Sequence, residues 1–356
     1  MVRRTKAAMP SQDQHGRDHA AGILAGVDEA GLGPVLGPLV VAGVAMSGPR
    51  GTDPWKLLQR VVCRRHSKKG KLRVADSKKV NQGPHGRQHL ERTVLSFWGA
   101  LHGELPATLA ELLEQAAVPL VPLERCPWYG TGLDLPLPLD NDRNELELKS
   151  HLLARAMEHK HVRLEHIALR PVDAAEFNAL ITETDNKSHA HFHAYSAVIA
   201  ELLRILDRTA RDPEDQAHLV ADRCGGRFRY LAGLRQHLPG RRIQILEEHP
   251  EFSSYLIHRG GGGGGDGGGS DGDNAPVRVS FAARGEDRAF PTALASCAAK
   301  YVRELMMECM NRWFACRVPG LRRTAGYYVD GHRFLEEVES VTGEQGFPME
   351  WLRRIR

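Results

Sequence analysis

This sequence has no long apolar run. Nothing in its 356 residues approaches the roughly 18 continuous apolar positions of a membrane-crossing helix, so no membrane partner is expected. The opening stretch, MVRRTKAAMPSQDQHGRDHAAG, is basic but has no apolar segment behind it, and does not read as a secretory signal. The six cysteines include no Cys-x-x-Cys pair, which argues against a zinc site or a disulfide framework. Reduced thiols in a cytoplasmic protein are the expectation. Charge excess is also small. A net charge of +4 permits nucleic-acid binding through a local patch without demanding it. What is present is core material: 42% of the residues are hydrophobic, enough for two domains or one enlarged domain. A soluble monomer is expected.

The most informative stretch is Gly22 to Met46. An apolar run, Ile23 to Val27, ends on adjacent acids, Asp28 and Glu29. A turn containing Gly31, Gly33, Pro34, Gly37 and Pro38 follows, and then a second apolar run, Leu39 to Met46. That pattern predicts a buried strand, a tight loop and a second strand. Unpaired charge at a core boundary is costly, so the two acids require water, a cation or a metal ion. Gly31 and Gly33 leave a backbone that a ligand can approach closely.

VDEAGLGPVLGPLVVAGV resembles the opening segment of the type 2 ribonucleases H, ribonuclease HII and its relatives. That segment is a strand, Asp-Glu and a Gly-Arg-Gly loop; the loop arginine is Leu32 here. Ala75 to Val80 (ADSKKV) resembles the family's Asp-Ser-Lys-Lys segment, which implies phosphate contact by Lys78 or Lys79, while Asp76 reads as a capping carboxylate. The strand His218 to Asp222 ends on an acid, and the resemblance makes Asp222 the third active-site carboxylate, followed by Arg223 where the family has Gly. Ala295-Ser296…Ala299-Lys300…Arg303-Glu304 resembles the family's Ala-Ser…Ala-Lys…Arg-Asp helix and implies a fourth carboxylate at Glu304. Ser296, Lys300 and Glu304 share one helical face, and an ordinary Lys300–Glu304 surface pair is the other reading. The Gly326-Tyr327 segment resembles the family's late Gly-Tyr, which packs on the ribose at the cut site. Pro171 to Asn178 resembles the acidic turn ending in Asn that leads into a long helix. A non-arginine in the loop and Glu at the fourth position are also seen in the related ribonuclease HIII branch.

The resemblance implies an α/β, ribonuclease H-like fold with a mixed central β-sheet flanked by helices. It implies one catalytic domain over 22–345, with inserts near 103–144 and 259–276, between a disordered tail at 1–21 and a C-terminal tail at 346–356. It also implies hydrolysis of RNA within an RNA–DNA hybrid or a ribonucleotide-containing duplex, using two Mg²⁺ or Mn²⁺ ions held by Asp28, Glu29, Asp222 and Glu304. Gly31, Leu32, Gly33 and Tyr327 would read ribose; Lys78, Lys79, Ser296 and Lys300 would hold phosphate. The chemistry is consistent, because hard cations take oxygen ligands and two of them serve phosphodiester hydrolysis.

Other features admit two readings. The basic run Arg64 to Arg73 is a solvated loop or a phosphate-tracking surface. The proline-rich insert Pro119 to Leu139 is a packed excursion or a flap that stacks nucleic acid on Trp128 or Tyr129. His189, His191 and His193 would diverge on a helix and make a poor metal site. The glycine-rich run at Gly260–Asp273 reads as a disordered loop insertion, and the basic residues after Trp351 as a fraying end. A hybrid-binding protein with lost catalysis is the alternative that Leu32, Arg223 and Glu304 favour. A protein-assembly module acting through Trp128 is a third.

Overall fold

The apolar runs on either side of the glycine turn pair with each other. The computed structural model describes residues 21–65, 70–210, 215–259 and 276–355. Residues 1–20 of the expected tail, residues 260–275 of the glycine insert, and Lys68 and Lys69 of the basic run lie outside them. Strand β1 (Ala21–Ala30) runs antiparallel to β2 (Leu39–Pro49), with Ala30 opposite Val40. Two short strands, β3 (Val62–Cys63) and β4 (Leu72–Arg73), form a separate parallel pair. With β5 (Arg163–Val172), β6 (Gln216–Asp222), β7 (Ile243–His249), β8 (Phe252–Ile257) and β9 (Val277–Ala282), β1 and β2 build a seven-stranded sheet in the order β5-β2-β1-β6-β9-β8-β7. The β1–β6 and β6–β9 pairs are parallel and the rest antiparallel. This is the expected mixed α/β architecture.

The two-residue period of a strand sorts β1 between two cores. Ile23, Ala25 and Val27 pack with Val198 and Leu202 of the helix Lys187–Thr209. The opposite face meets the 26-residue helix Phe290–Ala315, which is buried nearly all round because it lies between the sheet and the first insert. Gly26 makes that approach possible: a Cβ there would lie 2.1 Å from the Thr292 nitrogen. The Thr292 hydroxyl donates to the Val220 carbonyl at 2.6 Å, tying the start of the helix to β6.

The first insert is a packed excursion. Trp128 and Tyr129 are 2% and 1% exposed, and Trp128 lies among the rings of Trp313, Phe314 and Phe347. Neither ring can stack on nucleic acid or face a protein partner, so the flap and assembly readings fall with their burial. β8 and β9 pair along their whole length, from Phe252 opposite Ala282 to Ile257 opposite Val277. The glycine-rich run therefore joins two strands of one sheet and is no domain boundary. The expected fraying end is also corrected. A 3-10 turn at Met349–Trp351 leads into Leu352 and Arg354, both buried, because this segment pairs with the glycine turn.

Candidate active site

Asp28 and Asp222 are brought together by strand register. The parallel β1–β6 ladder sets Val27 opposite Ala221, so the next residues on each strand, Asp28 and Asp222, are neighbours on the same face. Strand spacing puts such positions about 5 Å apart. Glu29, one residue on, points to the other face of the sheet. There Tyr195 donates its hydroxyl to Glu29 Oε2 at 2.8 Å, and His191 Nε2 lies 3.6 Å from Oε1, in ion-pair range but too far for a hydrogen bond. His191 and Tyr195 are four apart on the helix Lys187–Thr209, and His193 faces outward. The three histidines diverge as expected, and one of them serves the acid end of β1.

Burial and like charge set the electrostatics. The Asp28 carboxyl is held well above its ordinary pKa by burial first, then by the charges of Glu29 and Asp222, with the Ser296 hydroxyl acting against them. Asp222 is raised by burial and by Glu29, against hydrogen bonds that include Gly285 N–H to Oδ1 at 2.8 Å. Burial pushes Glu29 up as well, but His191, Tyr195 and Lys78 outweigh it and its pKa falls below the ordinary value.

A further half-buried acid stands near Asp222, and the sequence reading did not single it out. Glu286 stands in the short turn Gly285–Arg288, directly after β9, the strand beside Asp222. Its pKa is raised by burial, and among the charges that add to this is Asp222. An acid just past a strand adjoining β6 was the available signal. Glu304 goes elsewhere. It lies eight residues beyond Ser296, about 12 Å along the helix axis. Lys300 Nζ binds its Oε1 at 2.5 Å, and it lines a separate polar cavity with Asn81, Arg87, Glu308 and Arg323.

Ser296 stands beside Asp28 but is not available to phosphate. It is 2% exposed, it accepts from the Ser77 N–H at 3.2 Å and its hydroxyl donates to that of Ser77 at 3.0 Å. That contact anchors the turn Ser77–Val80, whose N-cap is Asp76, accepting from the Lys78 N–H at 2.9 Å. Lys78 is left exposed and acts on both Glu29 and Asp222. Lys79 lies 3.4 Å from Asp287 and 3.6 Å from Asp76. In the basic run, Arg64 covers the Trp55 ring and Lys71 donates to the Gln59 carbonyl.

The glycine turn borders the acids. Gly31 has φ +94°, and a Cβ there would lie 2.4 Å from Arg303 Nε, so both conformation and space exclude a side chain. Nothing lies within 4 Å of a Cβ placed on Gly33. The Leu32 side chain is half-buried against the core that includes Phe177 and Tyr195. Gly326, also at positive φ, accepts from the Val35 and Leu36 amides and so fixes the neighbouring Tyr327, 55% exposed, beside the turn.

Asp28, Glu29, Asp222 and Glu286 offer only carboxylate oxygens, the donor set of a hard divalent ion, and mutual repulsion in a buried place is what such an ion relieves. Among the described residues no three His, Cys, Asp or Glu side chains are so arranged that they could hold one metal ion. Among those residues, too, no helix is long and apolar enough to cross a membrane.

A mixed α/β sheet with carboxylates at the carboxyl ends of adjacent parallel strands defines the class, since open α/β sheets bind ligands at that end. Among solved structures the chain is similar to ribonuclease HII of Archaeoglobus fulgidus, determined in complex with PCNA, at 16% identity and TM-score 0.42, covering 94% of each chain. It is similar to ribonuclease H2 of Pyrococcus horikoshii OT3, at 15% identity and TM-score 0.39, covering 93% of this chain and 92% of that one. It is also similar to Bst ribonuclease HIII, determined in complex with Mn²⁺, at 15% identity and TM-score 0.43, covering 94% of this chain and 67% of that one. No protein-family model and no curated protein matches the sequence.

Proposed function

We propose that this chain is a divalent-metal-dependent endoribonuclease that cuts RNA within an RNA–DNA hybrid, leaving a 3′-hydroxyl and a 5′-phosphate. The observation that carries this reading is the meeting of Asp28 and Asp222 at the ends of β1 and β6, with Glu29 and Glu286 beside them and an open glycine turn at the border. Asp28, Glu29, Asp222 and Glu286 would hold Mg²⁺ or Mn²⁺, with Glu286 taking the place first given to Glu304. Held there, such ions would supply a lowered pKa for an attacking water and positive charge at the scissile phosphate.

The chain's own residues do the positioning. Tyr195 and His191 fix the Glu29 carboxylate on one face of the sheet, and Ser296 stands beside Asp28 on the other. Lys78 receives a substrate phosphate. The backbone of Gly31 to Gly33 reads the 2′-hydroxyl that separates RNA from DNA, and Tyr327 packs on the ribose. Leu32 cannot hold a phosphate as an arginine would, so continuous RNA in a hybrid is the preferred substrate over a single ribonucleotide.

The test is cleavage of a labelled hybrid and of a duplex with one ribonucleotide, with Mg²⁺ or Mn²⁺, by the wild type and by Asp28→Asn. Metal-dependent cutting that vanishes in the variant supports the nuclease. Hybrid binding with no cutting of either substrate replaces it with a binding protein on the same fold.

A further inference from the structure

The glycine turn is held from behind by a residue near the far end of the chain. Arg354 is 3% exposed, and its Nη2 donates to the Gly31 carbonyl. Its own backbone N–H donates to the Val35 carbonyl at 2.9 Å, and Arg353 bridges to Leu36. Asn178 clamps this segment from the other side. Its amide nitrogen donates to the Glu350 and Arg353 carbonyls at 2.8 and 2.9 Å, and its oxygen accepts from the Ile355 N–H at 2.8 Å. The Arg354 guanidinium lies 5.1 Å from the centre of the Phe177 ring. Nε and Nη1 of Arg354 are buried without a hydrogen-bond partner among the described residues, and Arg303, equally buried, lies against Gly31. Burial, followed by the like charge of Arg303, pulls the Arg354 pKa down to about 9. A buried cation with no carboxylate partner among the described residues is costly, so aliphatic packing alone does not account for it.

The peptide geometry shows what the contact does. In a planar trans peptide the C=O and the following N–H point in opposite directions. With the Gly31 carbonyl turned inward to Arg354, the Leu32 N–H is turned outward. Among the described residues, neither the Leu32 nor the Gly33 amide donates a backbone hydrogen bond. We propose that Arg354 is a positioning residue that locks the Gly31–Leu32 peptide with its amide facing the substrate ribose, a role resting on the nuclease reading above. The C-terminal segment thereby sets the conformation of the turn from beneath and without touching substrate.

The experiment compares the full-length wild type with Arg354→Gln and Arg354→Lys. Amide hydrogen exchange is followed over residues 31–37, with β1 as the internal control, and KM and kcat are measured on a continuous hybrid. The expected result for Arg354→Gln is about tenfold faster exchange in the turn with β1 unchanged. KM should rise about tenfold with kcat within about threefold, and Arg354→Lys should recover part of both. Unchanged exchange in the turn of either folded variant overturns the brace. A loosened turn with unchanged KM in an active enzyme overturns its role toward ribose. If the wild type cuts no substrate, the nuclease reading fails and takes the ribose role with it, while the exchange data still decide the brace. Should Arg354→Gln fail to fold, Arg354→Lys carries the comparison.

Discussion

Asp28 and Asp222 follow the last β1–β6 pair, Val27 and Ala221, and so stand at one level of the sheet and on one face. Two carboxylates so placed, one of them 7% exposed, destabilise the metal-free protein. Asp28→Asn should therefore abolish metal-dependent cutting and yet raise the melting temperature of the metal-free protein by a few degrees, on the order of 1 kcal/mol. Added Mg²⁺ or Mn²⁺ should stabilise the wild type and leave the variant unmoved. Melting curves with and without metal check both.

The fourth acid is open to a direct contest. Glu286 borders Asp222, while Glu304 is bound to Lys300. Glu286→Gln should lower kcat on a hybrid by at least about 100-fold, and Glu304→Gln by less than about threefold. The reverse ranking would restore Glu304 to the metal site.

Tyr195 orients Glu29 through a 2.8 Å hydrogen bond from the opposite face of the sheet. Tyr195→Phe removes one hydroxyl and no packing. Partners of metal ligands typically matter about 10- to 100-fold in metal affinity, so the metal concentration for half-maximal cutting should rise into that range. A metal titration of both proteins reads it.

Trp128 is core. Trp128→Ala should cost about 3–5 kcal/mol in denaturant unfolding, the usual range for a buried tryptophan. Hybrid affinity per folded molecule should stay within about twofold. Lost affinity in the folded variant would return the first insert to the nucleic-acid surface.

Acid should weaken the fold through His218 and Glu308. Burial, with Arg278 across the strand pair, lowers the His218 pKa to about 4, and its Nε2 lies 2.9 Å from the Ser280 hydroxyl. The unfolded chain takes up that proton first, so stability falls as pH drops from about 6.5 toward 4, by up to about 3 kcal/mol. Glu308 is raised by burial, but Arg323, Arg312 and Arg87 outweigh this and bring it to about 2. Its contribution is complete above the unfolded value near 4.5 and is lost as pH falls toward 2. His218→Gln, which keeps a donor for Ser280, should flatten the upper part of this decline in melting temperature against pH.

The sequence by itself determined the local elements and the acids that end them. Apolar runs closing on Asp28–Glu29 and on Asp222 mark where strands leave the core, although β1 itself continues through both acids to Ala30. The spacing of Ser296, Lys300 and Glu304 likewise fixes one helical face without saying what that face meets. Only the tertiary structure decided that Ser296 is enclosed beside Asp28, that Glu304 is paired with Lys300, and that Glu286 stands near Asp222 in the turn after β9. It alone buried Trp128 and brought Arg354 to Gly31, 323 residues away in the chain. The reason is physical. Periodicity and capping act over a few residues, whereas these contacts depend on strand order and on how closely Gly26 lets the helix Phe290–Ala315 approach the sheet.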